Sequence, residues 1–457
     1  MPRHAPRDLL MDAADRGARY LERLDARPVF PREADIRRLE EALTGPLPAT
    51  PSDAAEVLAF LDEFGSPATV ASAGGRYFGF VTGGALSASL AANWLAGAWD
   101  QNSFGFVSSP AAALFEERAL GWLGELLGLP AGIQGAFATG ATMANFTCLA
   151  AARYEVLQRV GWDVDSQGLF GASEIAVVVG EEVHATILKD LAMLGLGRDR
   201  VIRVPVDEQG RMRADALPDL AGPAIVCLQA GNVNSGAFDP AAALSPQAHA
   251  HGAWVHVDGA FGLWAKAAPA LAPLAAGYEH ADSWATDAHK WLNVPYDCGV
   301  AFVRSPASLR HALSVSGSYL LQGERQDAIG LSPEGSRRAR AIEVWAAIKA
   351  LGRTGIAELI ERNCRQARWL ADGLAEAGIE VLNEVVLNQV VVAFGDDDRT
   401  ARTIGALQAG GVCWCGETIW RGRRAMRISV SSWATSPADM EQTLAAILAA
   451  NEHHRET

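Results

Sequence analysis

Apolar positions fall into three regimes along the chain. In residues 1–65 they recur at helical spacing: Leu10, Ala14, Ala18 and Leu21 form one stripe, and Val57, Leu58, Phe60 and Leu61 another. Pro46, Pro48 and Pro51 separate the two. Such a segment has too little core to stand alone and must pack on another body. From about 70 to 320, helical patterns alternate with short apolar runs. Glu174–Gly180, Ala224–Ala230, Trp254–Asp258 and Gly299–Val303 read as strands. Their runs are mostly continuous rather than alternating, so both faces of the sheet are covered by helices. That predicts an α/β layered domain with a mostly parallel central sheet. From about 340 the pattern changes again. Helices are expected over Arg337–Leu351 and Ile356–Ala377, strands over Val385–Phe394 and Met426–Val430, and a last helix over Pro437–Ala450. The expected organisation is an N-terminal helical segment (1–65), a large α/β domain (66–335) and a small C-terminal α+β domain (336–457).

Parallel sheets bind ligands at the carboxyl ends of their strands, and the chemistry-bearing residues cluster there in the sequence. The stretch Gly135–Asn145 reads as a short strand, a Gly/Thr turn and the start of a helix. A helix start offers free N–H groups and the positive dipole end to a phosphate. Thr139 and Thr142 can add hydroxyls, although a plain N-cap would use the same residues. His184 follows a strand, where an imidazole can stack on an aromatic face or move a proton; a structural histidine is the ordinary alternative. Asp258 ends an apolar strand, where an unpaired carboxylate is costly. It suits a protonated pyridine, or it caps the next turn. Lys290 follows His289 directly, among Trp284, Trp291 and Leu292, which argues against a solvated surface lysine. Thr286 and Asp287, one turn earlier, are within reach of a phosphate or of the backbone. An aspartate for a pyridine nitrogen and a lysine for an imine are what pyridoxal phosphate chemistry requires.

Composition narrows the picture. The chain has 457 residues, 49% hydrophobic and 20% charged, which fits a globular protein. A net charge of −14 disfavours nucleic acid and anionic membranes as partners. Lysine is scarce, at positions 189, 266, 290 and 349 only, which makes Lys290 stand out. Six cysteines do not form a disulfide framework, and Cys413-Trp414-Cys415 lacks a second Cys/His pair for a metal. The first twenty residues lack a signal-type apolar run, and the apolar window Leu86–Trp99 is interrupted by Ser, Asn and Gly. The cytoplasm is therefore the expected compartment.

Taken together, the motifs resemble those of the group II pyridoxal-phosphate-dependent amino acid decarboxylases, a fold-type I family that includes aromatic amino acid and glutamate decarboxylases. The resemblance spans roughly 75–445. It is carried by Arg76–Phe80, Ser108–Ala111 with Glu116-Glu117, Thr139–Asn145, Gly236–Pro240, His256–Phe261, Ala288–Trp291 and Arg337-Arg338. It implies a homodimer with active sites at the subunit interface and an N-terminal segment that embraces the partner. It implies Lys290 as the Schiff-base lysine, Asp258 as partner of the pyridine nitrogen, Ala260 under the ring and His184 stacked on the other face. Ala141 and Thr142 would receive the phosphate, with Asp287 and Asn232 near the cofactor and His289 beside the substrate. Phe80, Trp99, Phe104 and Phe106 are candidate pocket walls or core. Two departures stand out. The family's Gly-Thr-Thr is replaced by Gly231-Asn232-Val233-Asn234, and its loop tyrosine is absent from Leu320–Ser336. The family's tyrosine returns a proton to Cα after CO2 leaves. The expected reaction is α-decarboxylation of an L-amino acid. Aldehyde formation, Cα–Cβ cleavage and transamination stay open, the last with Arg427 as a carboxylate clamp.

Overall fold

The computed structural model describes residues 6–314 and 327–453. Its contacts divide the chain into two compact units. The larger comprises Gly83–Arg368 and Asn383–Val390; the smaller comprises residues up to Thr82, Trp369–Leu382 and Val391 onward. This division differs from the boundaries expected at 65 and 335. Residues 1–82 fall with the C-terminal residues, and the large unit keeps a long helix as far as Arg368.

The large unit is built on a seven-stranded sheet. Its strands are β1 (Gln134–Ala138), β2 (Ala176–Gly180), β3 (Ile202–Val204), β4 (Ala224–Gln229), β5 (Trp254–Asp258), β6 (Ser283–Asp287) and β7 (Gly299–Val303). They lie in the order β1-β7-β6-β5-β4-β2-β3. The pairs from β6 through β5, β4 and β2 to β3 are parallel, while β7 runs antiparallel to both β6 and β1. The sheet is mostly parallel, as expected. Every residue of β4, β5, β6 and β7 is buried, which is why these strands read as unbroken runs. Strand β6 (SWATD) escaped the sequence reading because polar residues hold three of its five positions. Asp287 thus ends a strand; it does not lie on a helical turn before Lys290.

Helices Ala141–Gln158 and Ala185–Met193 pack together on the sheet. The first contributes Ala144, Cys148, Ala151 and Ala152 to a core cluster with Val177, Cys227 and Ala285. The helices expected over 337–351 and 356–377 form one run, Ala341–Glu376, kinked at Gly352. Its φ of 60° and ψ of 179° are open essentially only to glycine. The run starts at Ala341 because Arg337 is used elsewhere. Its side chain is buried, donates to the Ser103 and Phe137 carbonyls and pairs with Glu116 at 2.6 Å.

The smaller unit carries helices Pro6–Glu22, Glu33–Ala42 and Ala54–Phe60. It also holds most of a four-stranded sheet. Its strands, β8 (Glu380–Val381), β9 (Gln389–Ala393), β10 (Gly416–Trp420) and β11 (Arg423–Ser429), run in the order β10-β11-β9-β8. The strand expected over Val385–Phe394 is shortened to β9, and that over Met426–Val430 starts three residues earlier as β11. The N-terminal segment is tied in by backbone bonds from Val29 N–H to the Gly411 carbonyl and from Phe78 N–H to the Trp414 carbonyl. No helix among the described residues is long and apolar enough to cross a membrane.

Candidate active site

Six of the seven strands of the large unit point the same way, and five of them lead into the candidate residues on one edge of the sheet. Strands β2, β4, β5 and β6 are mutually parallel, and β1 shares their direction because each of β1 and β6 is antiparallel to β7. Their carboxyl ends lead to Thr139–Ala141 (β1), His184 (β2), Asn232 (β4), Asp258 (β5) and Asp287 with Lys290 (β6). This is the edge at which parallel sheets bind ligands.

Asp287 is the hub. One carboxylate oxygen accepts the Ala141 N–H at 2.6 Å, at the first residue of the 141–158 helix. The other lies 3.2 Å from Lys290 Nζ and 3.7 Å from His289 Nε2. The Trp264 indole N–H donates to the Asp287 carbonyl at 3.0 Å, and the Asp287 N–H donates to the Ala260 carbonyl at 2.9 Å. His289 Nδ1 accepts the Cys298 N–H at 3.1 Å, so the neutral ring carries its proton on Nε2. Burial pushes the His289 pKa down, against the pull of Asp287, and Lys290 adds to the depression. The Tyr296 ring tilts against the His289 ring with centroids 4.5 Å apart.

Backbone contacts leave no room for a side chain at two glycines, and side chains crowd a third. A Cβ on Gly83 would lie 1.7 Å from the Lys290 carbonyl oxygen. One on Gly299, the first residue of β7, would lie 2.4 Å from the Gly140 backbone, and one on Gly140 would press His289 at 3.3 Å.

Asp258 is buried at 7% exposure and accepts the Ala260 N–H at 3.3 Å, while its carbonyl accepts the Ala230 N–H. Asn232 closes a turn by accepting the Asn234 and Ser235 N–H groups on Oδ1. Its Nδ2 has no hydrogen-bond partner among the described residues. His184 caps the 185–193 helix, with Nδ1 2.7 Å from Thr186 Oγ1. Thr142 is half-buried in the first turn of its helix. Phe104 is also half-buried, and its carbonyl accepts the Ile329 N–H.

The structure therefore gathers Lys290, His289, Asp287 and Ala141 by direct contact and joins Ala260 and Asp258 to them through the backbone. Phe80 and Arg427 belong to the smaller unit. Phe80 is exposed and tilts against Trp414 at 5.5 Å; Arg427 lies on β11, where burial pushes its pKa down. Sequence reasoning missed the partners that hold the cluster: Gly83, Trp264 and the Cys298 N–H. Each acts through backbone or from a distant position and leaves no local signal. Tyr296 was visible only as one of two tyrosines between Lys290 and Arg337. Tyr319 and residues 320–326 of the segment compared with the family's loop lie outside the described residues. No group of three or more His, Cys, Asp or Glu able to hold a metal ion occurs among the described residues.

Comparison with known proteins identifies the family and the fold. A sequence model described as the pyridoxal-dependent decarboxylase conserved domain matches residues 69–394. The chain is 31% identical to the L-2,4-diaminobutyrate decarboxylase of Rhizobium meliloti (strain 1021), over 78% of this chain and 74% of that one. It is 28% identical to an aromatic-L-amino-acid decarboxylase of Drosophila lebanonensis, over 80% of this chain and 96% of that one. Its fold superposes on the crystal structure of Oryza sativa TDC with PLP and tryptamine with a TM-score of 0.91, at 24% identity and 99% coverage of both chains. The chain belongs to the pyridoxal-dependent decarboxylase family and is, with it, a carboxy-lyase that works with pyridoxal phosphate.

Proposed function

We propose that the chain removes the α-carboxylate of an L-amino acid to give the amine, with pyridoxal phosphate attached to Lys290. The observation that carries this reading is the meeting of Lys290, His289, Asp287 and the Ala141 N–H on the strand edge where Asp258 also ends. The residues fit the cofactor. The Ala141 N–H donates to the Asp287 carboxylate at the positive end of an 18-residue helix, so the helix start accommodates an anion, and Ala141 and Thr142 suit the phosphate. Asp258, nearly out of water, suits a ring N–H in a charge-assisted bond. Ala260 would lie under the ring and His184 over it, with the Asn232 Nδ2 donor to spare.

Bound there, pyridoxal phosphate supplies a sink for the electron pair left at Cα when CO2 departs. Asp287 holds the Lys290 ammonium and can take its proton, which frees the amine to react. His289, kept neutral and with its proton on Nε2, offers a hydrogen bond to the substrate rather than a second charge. Trp99, Phe104 and Phe106 are the candidate walls that lie in the large unit, and in this reading they favour an apolar or aromatic substrate side chain. The working form in this reading is a homodimer that shares its sites. The exposed Trp94, Leu95 and Trp99 on the Ser87–Trp99 helix support a buried contact there.

The loaded protein should show a visible absorbance band and release CO2 from at least one amino acid of a broad panel. Lys290→Ala should lose both. A loaded protein that releases no CO2 from any of them rules the reading out. Aldehyde formation remains the second reading, because the sequence from 320 to 336 contains no tyrosine to return a proton to Cα. Aldehyde and ammonia in place of amine, with oxygen consumed, would select it.

A further inference from the structure

Behind Asp258 lies an acid that the proposed reaction does not use. Asp190 sits on the 185–193 helix, three residues after Ile187 and one before Leu191, all three on its buried face. Ile187 and Leu191 join the core cluster with Cys148 of the 141–158 helix and Cys227 of β4. Asp190 is 0% exposed, and neither carboxyl oxygen has a hydrogen-bond partner among the described residues. A carboxylate in that position has neither water nor donors to stabilise its charge, so the neutral acid is favoured. Strand alternation puts Asp258 on the same face of β5 as His256, whose Nε2 meets Asn145 of the 141–158 helix. Cys227 pairs with His256, and Gln229 with Asp258, on the adjacent strands β4 and β5. Among the described residues, the titratable groups that act electrostatically on Asp190 are the Cys148 thiol of the 141–158 helix, the Cys227 thiol of β4 and the Asp258 carboxylate of β5, with Lys189 on its own helix opposing. A second unpaired buried group, Asn145 Nδ2, lies on the 141–158 helix one turn before Cys148.

We propose that Asp190 is a proton-carrying positioning residue linked to Asp258: it stays neutral in the core and so adds no second negative charge behind Asp258. The link between the two carboxyls stands on a shared face of the sheet: Asp258 alternates with His256 on β5, and His256 is paired with Cys227, which joins Ile187 and Leu191 of the Asp190 helix in the core. Its consequence for the cofactor rests on the proposed role of Asp258. Burial, with Asp258's charge second and Lys189 opposing, pushes the Asp190 carboxyl up to about 8. Ionisation above that pH places two like charges in one low-dielectric region. A cation held by Asp258 should relieve this repulsion, so cofactor loading should lower the pH at which Asp190 gives up its proton.

The test is infrared spectroscopy of the full chain labelled with 13C-aspartate, with and without pyridoxal phosphate, in the wild type, Asp190→Asn and Asp258→Asn. Without cofactor, the wild type should show a protonated-carboxyl stretch at neutral pH that fades near pH 8. Asp190→Asn should lose that band, with Asp190→Leu as a second variant if Asn does not fold. In Asp258→Asn the midpoint should fall by about one pH unit, as expected for removal of a nearby like charge. Absence of the band at neutral pH, or an unmoved midpoint in Asp258→Asn, overturns the proposal. If the midpoint moves in Asp258→Asn but not on loading, the link stands and the ring-nitrogen role of Asp258 fails.

Discussion

Asp239 and Asp190 are both excluded from water, at 4% and 0% exposure, but they are accommodated in different ways. Asp239 follows β4 and accepts two backbone N–H groups at 2.7 Å, from Met212 and Gln229. Asp190 accepts none among the described residues. Burial raises both carboxyls, Asp239 to about 6 and Asp190 to about 8. The two donors explain why the first stays closer to its ordinary value. The comparison separates two functions of a buried acid. One is an acceptor that fastens loops to a strand; the other stores a proton.

Two substitutions, in three measurements, test that contrast. Asp239→Leu should be the most damaging, because it strands two buried N–H donors at about 1–3 kcal/mol each. Urea unfolding should then show a loss of roughly 2–6 kcal/mol, and a loss below about 1 kcal/mol would mean that the donors find other partners. The next effect depends on pH. An aspartate raised above its ordinary 3.8 binds its proton in the folded state while the unfolded chain has released it, so stability falls as pH rises towards the folded value. For Asp239 that loss ends near 6. His256, which burial pushes down to about 4, contributes in the opposite sense between 4 and its ordinary 6.5. Above 6.5 Asp190 alone of the three still acts. From pH 6.5 to 8 the wild type should therefore lose about 2 kcal/mol more than Asp190→Leu, at 1.36 kcal/mol per pH unit. Parallel slopes for the two proteins would reject a neutral Asp190. The smallest effect should be that of Asp190→Leu itself at pH 6.5. Replacing an unsatisfied acid by a similar apolar volume should be neutral or stabilising by about 1 kcal/mol, and calorimetry would detect a destabilisation if the site depends on the acid.

The legibility of the molecule in its sequence follows the same division. Asp258 was readable because an apolar run marks where its strand ends, where ligand chemistry gathers, and Lys290 because lysine is scarce and this one lies among apolar residues. Asp287 was identified but placed on the wrong kind of element, because SWATD does not look like a strand unless its neighbours are known to bury it. Asp190 was hidden in KDLAM, where an acid beside a lysine reads as a solvated face. Its spacing from Ile187 and Leu191 was the available clue. The tautomer of His289 depends on a backbone N–H nine residues away, at Cys298, and no spacing rule reaches that. The fold class followed from patterning alone, whereas the division into units required long-range contacts such as Val29 to Gly411.

The contact between Gly299 and Gly140 has a bearing on mutational tolerance. Neither residue has a functional group, yet the seam they form sets how closely the helix start approaches His289 and Asp287. In a deep mutational scan Gly299 should be as intolerant as Lys290 itself, rejecting even alanine, the mildest replacement available, while Gly140, whose Cβ would meet only side chains, should tolerate alanine better. A reader of such a scan who looked only for reactive side chains would assign the site to Lys290 and its acids and overlook the two hydrogen atoms that leave room for them.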